Sequence, residues 1–174
     1  MESLGLMHVY TGNGKGKSSA AFGLGLRAWG HGLRVCILQF IKSTEHSGEY
    51  KAVSSLEGII IRQFGTGRFF GKREPSQEDF ALAQGGLDFA GEVMSSGDYD
   101  VVILDELNVA VDLGLIDVKE AAEKIRRRRK GVEVVVTGRN PPQIFLEMAD
   151  YVTEFVARKH PFDRGVAARK GIEF

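Results

Sequence analysis

Leu6-Met7-His8-Val9-Tyr10-Thr11-Gly12-Asn13-Gly14-Lys15-Gly16-Lys17-Ser18-Ser19 stands near the start of the chain and decides its reading. Residues 6–10 read as a short buried strand, and residues 18–29 as the helix that follows. Between them, glycines let the backbone curl so that several N–H groups point inward at phosphate oxygens. The helix N-terminus adds its positive end, Lys17 is placed to reach the terminal phosphates, and the Ser18 hydroxyl is placed to ligate Mg²⁺. One detail departs from the general pattern G-x-x-x-x-G-K-S/T. Counting back from Gly16, the first glycine of that pattern falls on Thr11, so the glycine-started loop is one residue short. Triphosphate binding is expected, and generic nucleotide hydrolysis less so. Thr11, Gly12, Asn13, Gly14, Lys15, Gly16, Lys17, Ser18 and Ser19 are the candidate nucleotide-binding residues.

A second stretch supports the first. Asp100-Val101-Val102-Ile103-Leu104-Asp105-Glu106 is an apolar strand signal that ends in two adjacent carboxylates. In phosphate-loop proteins an acidic residue at the end of a neighbouring central strand holds magnesium, directly or through water. Ser18, Asp105 and Glu106 are therefore the candidate metal ligands, and residue order leaves open which carboxylate touches the ion. Lys17, Ser18 and Glu106 are the candidate catalytic groups.

The remaining strand signals are residues 33–40, 59–64, 132–137 and 151–156, all rich in β-branched residues and nearly continuous in apolar character. Such strands are expected to be buried on both faces, as in a parallel sheet covered by helices. Helical stretches fall near 48–56, 77–95, 118–129 and 142–148. Asp117 and Glu120 are placed to form a capping box on the third of these, with Val118, Ala121, Ala122 and Ile125 as its apolar stripe. The expected architecture is α/β, a single doubly wound, mainly parallel sheet of about six strands with helices on both faces. Ligands are then expected at the carboxyl ends of the strands. Arg139 and Asn140, just past the strand at 132–137, sit at that edge and are candidates for nucleotide phosphates.

Length and charge narrow the function. The chain has 174 residues, enough for one well-buried domain over 1–174. Lys plus Arg equals Asp plus Glu at 23 each, which gives no argument for nucleic acid or membrane as a partner. Arg126-Arg127-Arg128-Arg129-Lys130 reads as a helix end whose cations cap free carbonyls. No basic leader followed by an apolar run opens the sequence, and Cys36 is its single cysteine, expected buried. A cytoplasmic protein is expected. His8, His31, His46 and His160 are scattered, with no metal-ligand spacing.

These residues add up to a resemblance. The chain resembles the cobalamin (corrinoid) adenosyltransferases of the phosphate-loop type nearly end to end. The similarity is carried by residues 12–21 over the loop, by Gln39-Phe40-Ile41-Lys42, and by Leu104-Asp105-Glu106-Leu107. It continues through Thr137-Gly138-Arg139-Asn140, Ala149-Asp150, Lys159-His160-Pro161-Phe162-Asp163-Arg164-Gly165 and the closing Gly171-Ile172-Glu173-Phe174. It implies a P-loop NTPase fold of the RecA-like kind, with Lys42 among the ATP-binding residues. It also implies transfer of the 5′-deoxyadenosyl group of ATP to the cobalt(I) of a reduced corrinoid, with triphosphate released, in adenosylcobalamin synthesis or salvage.

On the same resemblance, ATP is a co-substrate, Mg²⁺ the cofactor, and an electron-donating flavoprotein or other reductant a partner. A homodimer is implied as well. The family's aromatic pattern under the corrinoid falls on Gly65-Thr66-Gly67-Arg68-Phe69-Phe70, where Arg68 replaces the first aromatic and Phe70 the tryptophan. Phe69 and Phe70 are the implied aromatic wedge, and His160 a further corrinoid contact. Only Met1 to Gly5 precede the first strand signal, so a cover formed by the N-terminal extension of some members is expected to be absent or replaced. The alternatives are a P-loop small-molecule kinase, which would leave ADP and carry the γ-phosphoryl group to an acceptor hydroxyl, and a nucleotide-dependent switch protein, which would release ADP and phosphate; neither releases triphosphate.

Overall fold

Alternation along the central strands builds the molecule. In the computed structural model, which describes residues 5–42, 47–67 and 74–172, Cys36, Leu38 and Phe40 of one strand face one apolar core, while Val35 and Ile37 face a second. Successive side chains of a strand point to opposite faces, so a strand apolar at every position needs cover on both sides. The elements run β1 (Met7–Thr11), α1 (Lys17–Gly30), β2 (Val35–Phe40), α2 (Gly48–Val53), β3 (Ile59–Phe64), α3 (Gln77–Ser96) and β4 (Val101–Asp105). They continue with α4 (Leu107–Asp112), α5 (Val118–Arg126), β5 (Glu133–Thr137), α6 (Gln143–Met148) and β6 (Tyr151–Glu154), followed by a 3-10 turn at Pro161–Arg164.

The six strands form one sheet in the order β3-β2-β4-β5-β1-β6, and every pairing is parallel. Helix α1 covers one face through Ala21, Phe22 and Ala28, which pack with Val35, Ile37, Ile103 and Val135. Helices α3, α4 and α5 cover the other through Leu87, Met94, Leu107 and Ile125, which pack with Leu38, Leu104 and Val136. This is the doubly wound α/β sheet expected from sequence. Among the described residues no helix is long and apolar enough to cross a membrane.

Several expectations are corrected. Strand β6 is not buried on both faces. Tyr151 and Val152 are each 52% exposed, because β6 is the last strand of the sheet and pairs only with β1. The acidic strand β4 is not beside the loop strand β1, since β5 runs between them. Helix α4 was not anticipated, and α5 ends at Arg126. Asp117 does cap α5, accepting from the N–H groups of Lys119 and Glu120 at 2.9 Å each. Glu120 does not close a capping box, because its carboxylate accepts from Gln84 at 2.9 Å. The reciprocal capping box is on α3, between Ser76 and Asp79. Past α5, the Arg128 guanidinium donates to the carbonyls of Ile125 and Gly5, which is the helix-end role expected of the basic run.

Candidate active site

The loop after β1 is shaped by the chain that follows β6. Phe155 N–H donates to the Thr11 carbonyl at 2.8 Å, and Gly14 N–H donates to the Phe155 carbonyl at 2.6 Å. A Cβ at Gly12 would stand 2.4 Å from the Phe155 oxygen, and one at Gly14 2.7 Å, so no larger residue fits under this crossing. Gly12 also has φ +94, a conformation open in practice to glycine. The loop sequence is thus dictated by close backbone approach. Lys17, the first residue of α1, folds back over the loop, donating to the carbonyls of Gly12 at 2.7 Å and Gly14 at 2.9 Å. Burial lowers its pKa, with the charge of Glu106 acting in the opposite direction.

Asp105, at the end of β4, is completely buried and fully engaged. Its Oδ1 accepts from Thr137 Oγ1 at 2.7 Å, and its Oδ2 accepts from Gln39 Nε2 at 2.9 Å and from Lys42 Nζ at 3.0 Å. Burial opposes the Asp105 charge most strongly. The Lys42 ammonium and the Gln39 and Thr137 hydrogen bonds outweigh it and hold the carboxyl below the ordinary aspartate range. Thr137 closes the gap left by the intervening strand: it ends β5, and its Oγ1 also accepts from the Glu106 N–H at 2.9 Å.

Glu106 differs from its neighbour. Burial pushes its pKa up, and the adjacent Asp105 charge adds to the rise. Its backbone is left-handed, with φ +63, as is that of Ile41 at φ +71 just after β2. The turn at Ile41 brings Lys42 back into the sheet edge, where its ammonium also lies 3.3 Å from Ser18 Oγ. Burial weighs most heavily against the Lys42 charge, yet Asp105 and Glu106 together raise its pKa.

A cavity of about 290 Å³ opens over this edge. It is lined by residues 13–19 of the loop together with Lys42, Glu49, Glu106, Arg139, His160 and Ile172. Most of the sequence-derived candidates therefore meet: Asn13, Gly14, Lys15, Gly16, Lys17, Ser18, Ser19, Lys42, Glu106, Arg139 and His160 share one hollow. Thr11 and Gly12 do not line it; their carbonyls accept from Phe155 N–H and the Lys17 ammonium instead, and Asp105 lies beneath Lys42. Asn140 is not brought in. It donates to Asp112 at 2.9 Å and lines a separate hollow with Val111 and Pro142. Phe69 and Phe70 lie outside the described residues.

Sequence reasoning missed Gln39, Glu49, Thr137 and Ile172. For Gln39 and Thr137 a signal was present, a polar residue at or near the carboxyl end of an otherwise apolar strand. The Ser18 hydroxyl and the two carboxylates are hard oxygen donors. One or two carboxylates, completed by water and substrate phosphates, is the set that suits Mg²⁺. No cluster of three or more His, Cys, Asp or Glu occurs among the described residues.

Comparison with known proteins adds independent evidence. A model of the family ATP:corrinoid adenosyltransferase BtuR/CobO/CobP matches residues 3–174. The chain is 39% identical over 171 residues to the corrinoid adenosyltransferase of Pseudomonas aeruginosa, covering 98% of this chain and 84% of that protein. It is 36% identical over 170 residues to the corrinoid adenosyltransferase of Escherichia coli K12, covering 98% and 86%. It is 35% identical over 173 residues to the corrinoid adenosyltransferase CobA of Salmonella typhimurium, covering 99% and 87%. Among solved structures, a KaiC-like protein of Pyrococcus horikoshii superimposes with a TM-score of 0.55 at 15% identity, over 87% of this chain and 72% of that one, a likeness of fold alone.

Proposed function

The chain belongs to the ATP:corrinoid adenosyltransferase family, and from that membership we propose how its residues carry out the reaction. It is an enzyme that transfers the adenosyl group of ATP to a corrinoid. In the reading proposed here, cobalt(I) of the reduced corrinoid attacks the 5′ carbon of ATP. The cobalt–carbon bond forms, the bond from that carbon to the α-phosphate oxygen breaks, and triphosphate leaves with the electron pair. Cobalt(I) is already a strong nucleophile, so no side chain has to remove a proton from it. The protein's tasks are alignment and stabilisation of charge on the leaving group.

The observation that supports this reading is the convergence of Lys17, Lys42 and Arg139 on one cavity with residues 13–19 of the loop. Three cations and a helix N-terminus facing one hollow suit a polyanionic leaving group. Lys17 exchanges its loop carbonyls for phosphate oxygens when ATP binds. Ser18, Asp105 and Glu106 would hold Mg²⁺, which when bound supplies further positive charge against the triphosphate. On the corrinoid side, Phe69 and Phe70 are proposed to keep the lower axial base away from cobalt, with His160 at the rim of the cavity. A reductant protein delivering the electron to cobalt(II), a homodimeric state and a cytoplasmic location belong to the same proposal.

The test is incubation with ATP, Mg²⁺ and chemically reduced corrinoid. ATP consumption is expected to require the corrinoid and to be matched by a light-sensitive alkylated product. ADP and phosphate formed at the same rate without corrinoid would overturn the reading.

A further inference from the structure

Lys42 occupies a position that the metal reading reserves for a cation. Its ammonium bridges Ser18 Oγ at 3.3 Å and Asp105 Oδ2 at 3.0 Å, two of the three groups assigned to Mg²⁺. It reaches there through an unusual backbone. Ile41 adopts φ +71, which is a genuine outlier for a β-branched side chain. Such strain is retained where the surrounding structure holds it in place. Here the holding contacts are visible. Ile41 N–H donates to the Phe64 carbonyl, and the Ile41 carbonyl accepts from Gly67 N–H. Gly65 packs so close that a Cβ there would stand 2.1 Å from the Ile41 carbonyl carbon.

We propose that Lys42 is a place-holding cation: in the ligand-free protein its ammonium neutralises buried Asp105 from the position the metal must take. It yields that position when Mg²⁺ and ATP arrive together. The physical need is plain. Asp105 has no exposed surface, and a carboxylate taken out of water is costly unless a cation or hydrogen bonds compensate it. Thr137 and Gln39 supply hydrogen bonds, but only Lys42 among its hydrogen-bonding partners supplies charge. A divalent ion between Ser18 and Asp105 cannot share that space with an ammonium, so the two exclude each other. Once displaced, Lys42 is still on the wall of the cavity that holds Lys17 and Arg139, and its charge turns to the triphosphate. The exchange keeps the metal from binding tightly until the nucleotide brings phosphate oxygens and a new partner for Lys42.

The proposal rests on the metal reading given above, and the experiment separates the two. Free Mn²⁺ is measured by electron paramagnetic resonance in titrations of the protein alone, of ATP alone and of both together, and binding in the presence of ATP is read as the Mn²⁺ taken up beyond the Mn²⁺–ATP complex. Wild type is expected to bind Mn²⁺ weakly alone and tightly with ATP. Lys42→Met is expected to bind Mn²⁺ at least about tenfold more tightly without nucleotide, because a competing charge at hydrogen-bond distance has been removed. Lys42→Arg keeps the charge and is expected to stay weak. Adding Asp105→Asn to Lys42→Met is expected to erase the gain.

Thermal unfolding gives a second readout. Lys42→Met is expected to melt well below wild type in chelator and to recover on adding Mg²⁺ without ATP, whereas wild type responds little. If Lys42→Met fails to fold in chelator, refolding as Mg²⁺ is added reports the same exchange. Unchanged Mn²⁺ affinity in Lys42→Met, with tight wild-type binding in ATP still lost on Asp105→Asn, overturns the place-holding role and leaves the metal reading standing. ATP-dependent Mn²⁺ binding that ignores Asp105→Asn, Glu106→Gln and Ser18→Ala overturns both.

Discussion

At the scale of single residues, Asp105 and Glu106 are adjacent in sequence and opposite in behaviour. Asp105 has its pKa lowered by Lys42, Gln39 and Thr137 against its burial, while Glu106 has its pKa raised by burial and by Asp105. A lowered folded-state pKa contributes stability above the unfolded value that is lost as pH falls through the folded one. A raised pKa contributes stability below the unfolded value that is lost as pH rises through the folded one. In ligand-free protein at pH 7, Asp105→Asn is therefore expected to destabilise, by on the order of 1–3 kcal/mol. Glu106→Gln is expected to stabilise, since it imitates the protonated form. Urea unfolding across pH checks both signs: the Glu106→Gln difference should shrink already in mild acid, as that carboxylate protonates, whereas the Asp105→Asn difference should persist there and shrink only as pH falls below the ordinary aspartate range. For catalysis, Lys17→Ala is expected to lower turnover by about 10²–10³, the usual loss when one stabiliser of a developing charge is removed. Steady-state rates at saturating ATP measure it. The loop residues and the carboxylate pair were legible in sequence because their chemistry is local. Asn140 was not, because whether it faced the nucleotide or Asp112 depended on a turn that adjacency to Arg139 does not determine.

Among the elements, the crossing of the chain after β6 over the phosphate loop is the contact that fixes the site. Gly14→Ala is expected to leave the sheet intact and to weaken ATP binding by at least about tenfold, since a Cβ there meets the Phe155 backbone. Calorimetric ATP titration alongside circular dichroism separates the two effects. Helix α3 depends on its capping box, and Ser76→Ala is expected to cost about 1 kcal/mol in urea unfolding. Asp79 of that box also accepts from Thr66 Oγ1 at 2.8 Å, so the same change should loosen the segment after β3. The strands and longer helices were readable from apolar periodicity. Helix α4 was not: six residues entered through Glu106 in a left-handed conformation, with no side-chain cap, leave no signature. The exposure of β6 was also hidden, because apolar residues look alike in a central strand and an edge strand.

For the whole molecule, parallel strands and two apolar cores were expected, but the order β3-β2-β4-β5-β1-β6 was not derivable from local pattern. Strand order is set by long-range packing, and it is this order that puts β5, with Thr137, between the loop and the acidic pair. The resulting edge gathers Lys17, Lys42 and Arg139 around a hollow suited to a triphosphate. The most direct measurement follows two labels in one ATP molecule, tritium at the 5′ carbon and ³²P in the γ-phosphate, during reaction with chemically reduced corrinoid. The expected result is tritium in the corrinoid and ³²P in intact triphosphate, in equal amounts. Tritium retained in ADP, with ³²P released as phosphate or carried to an acceptor, would contradict it.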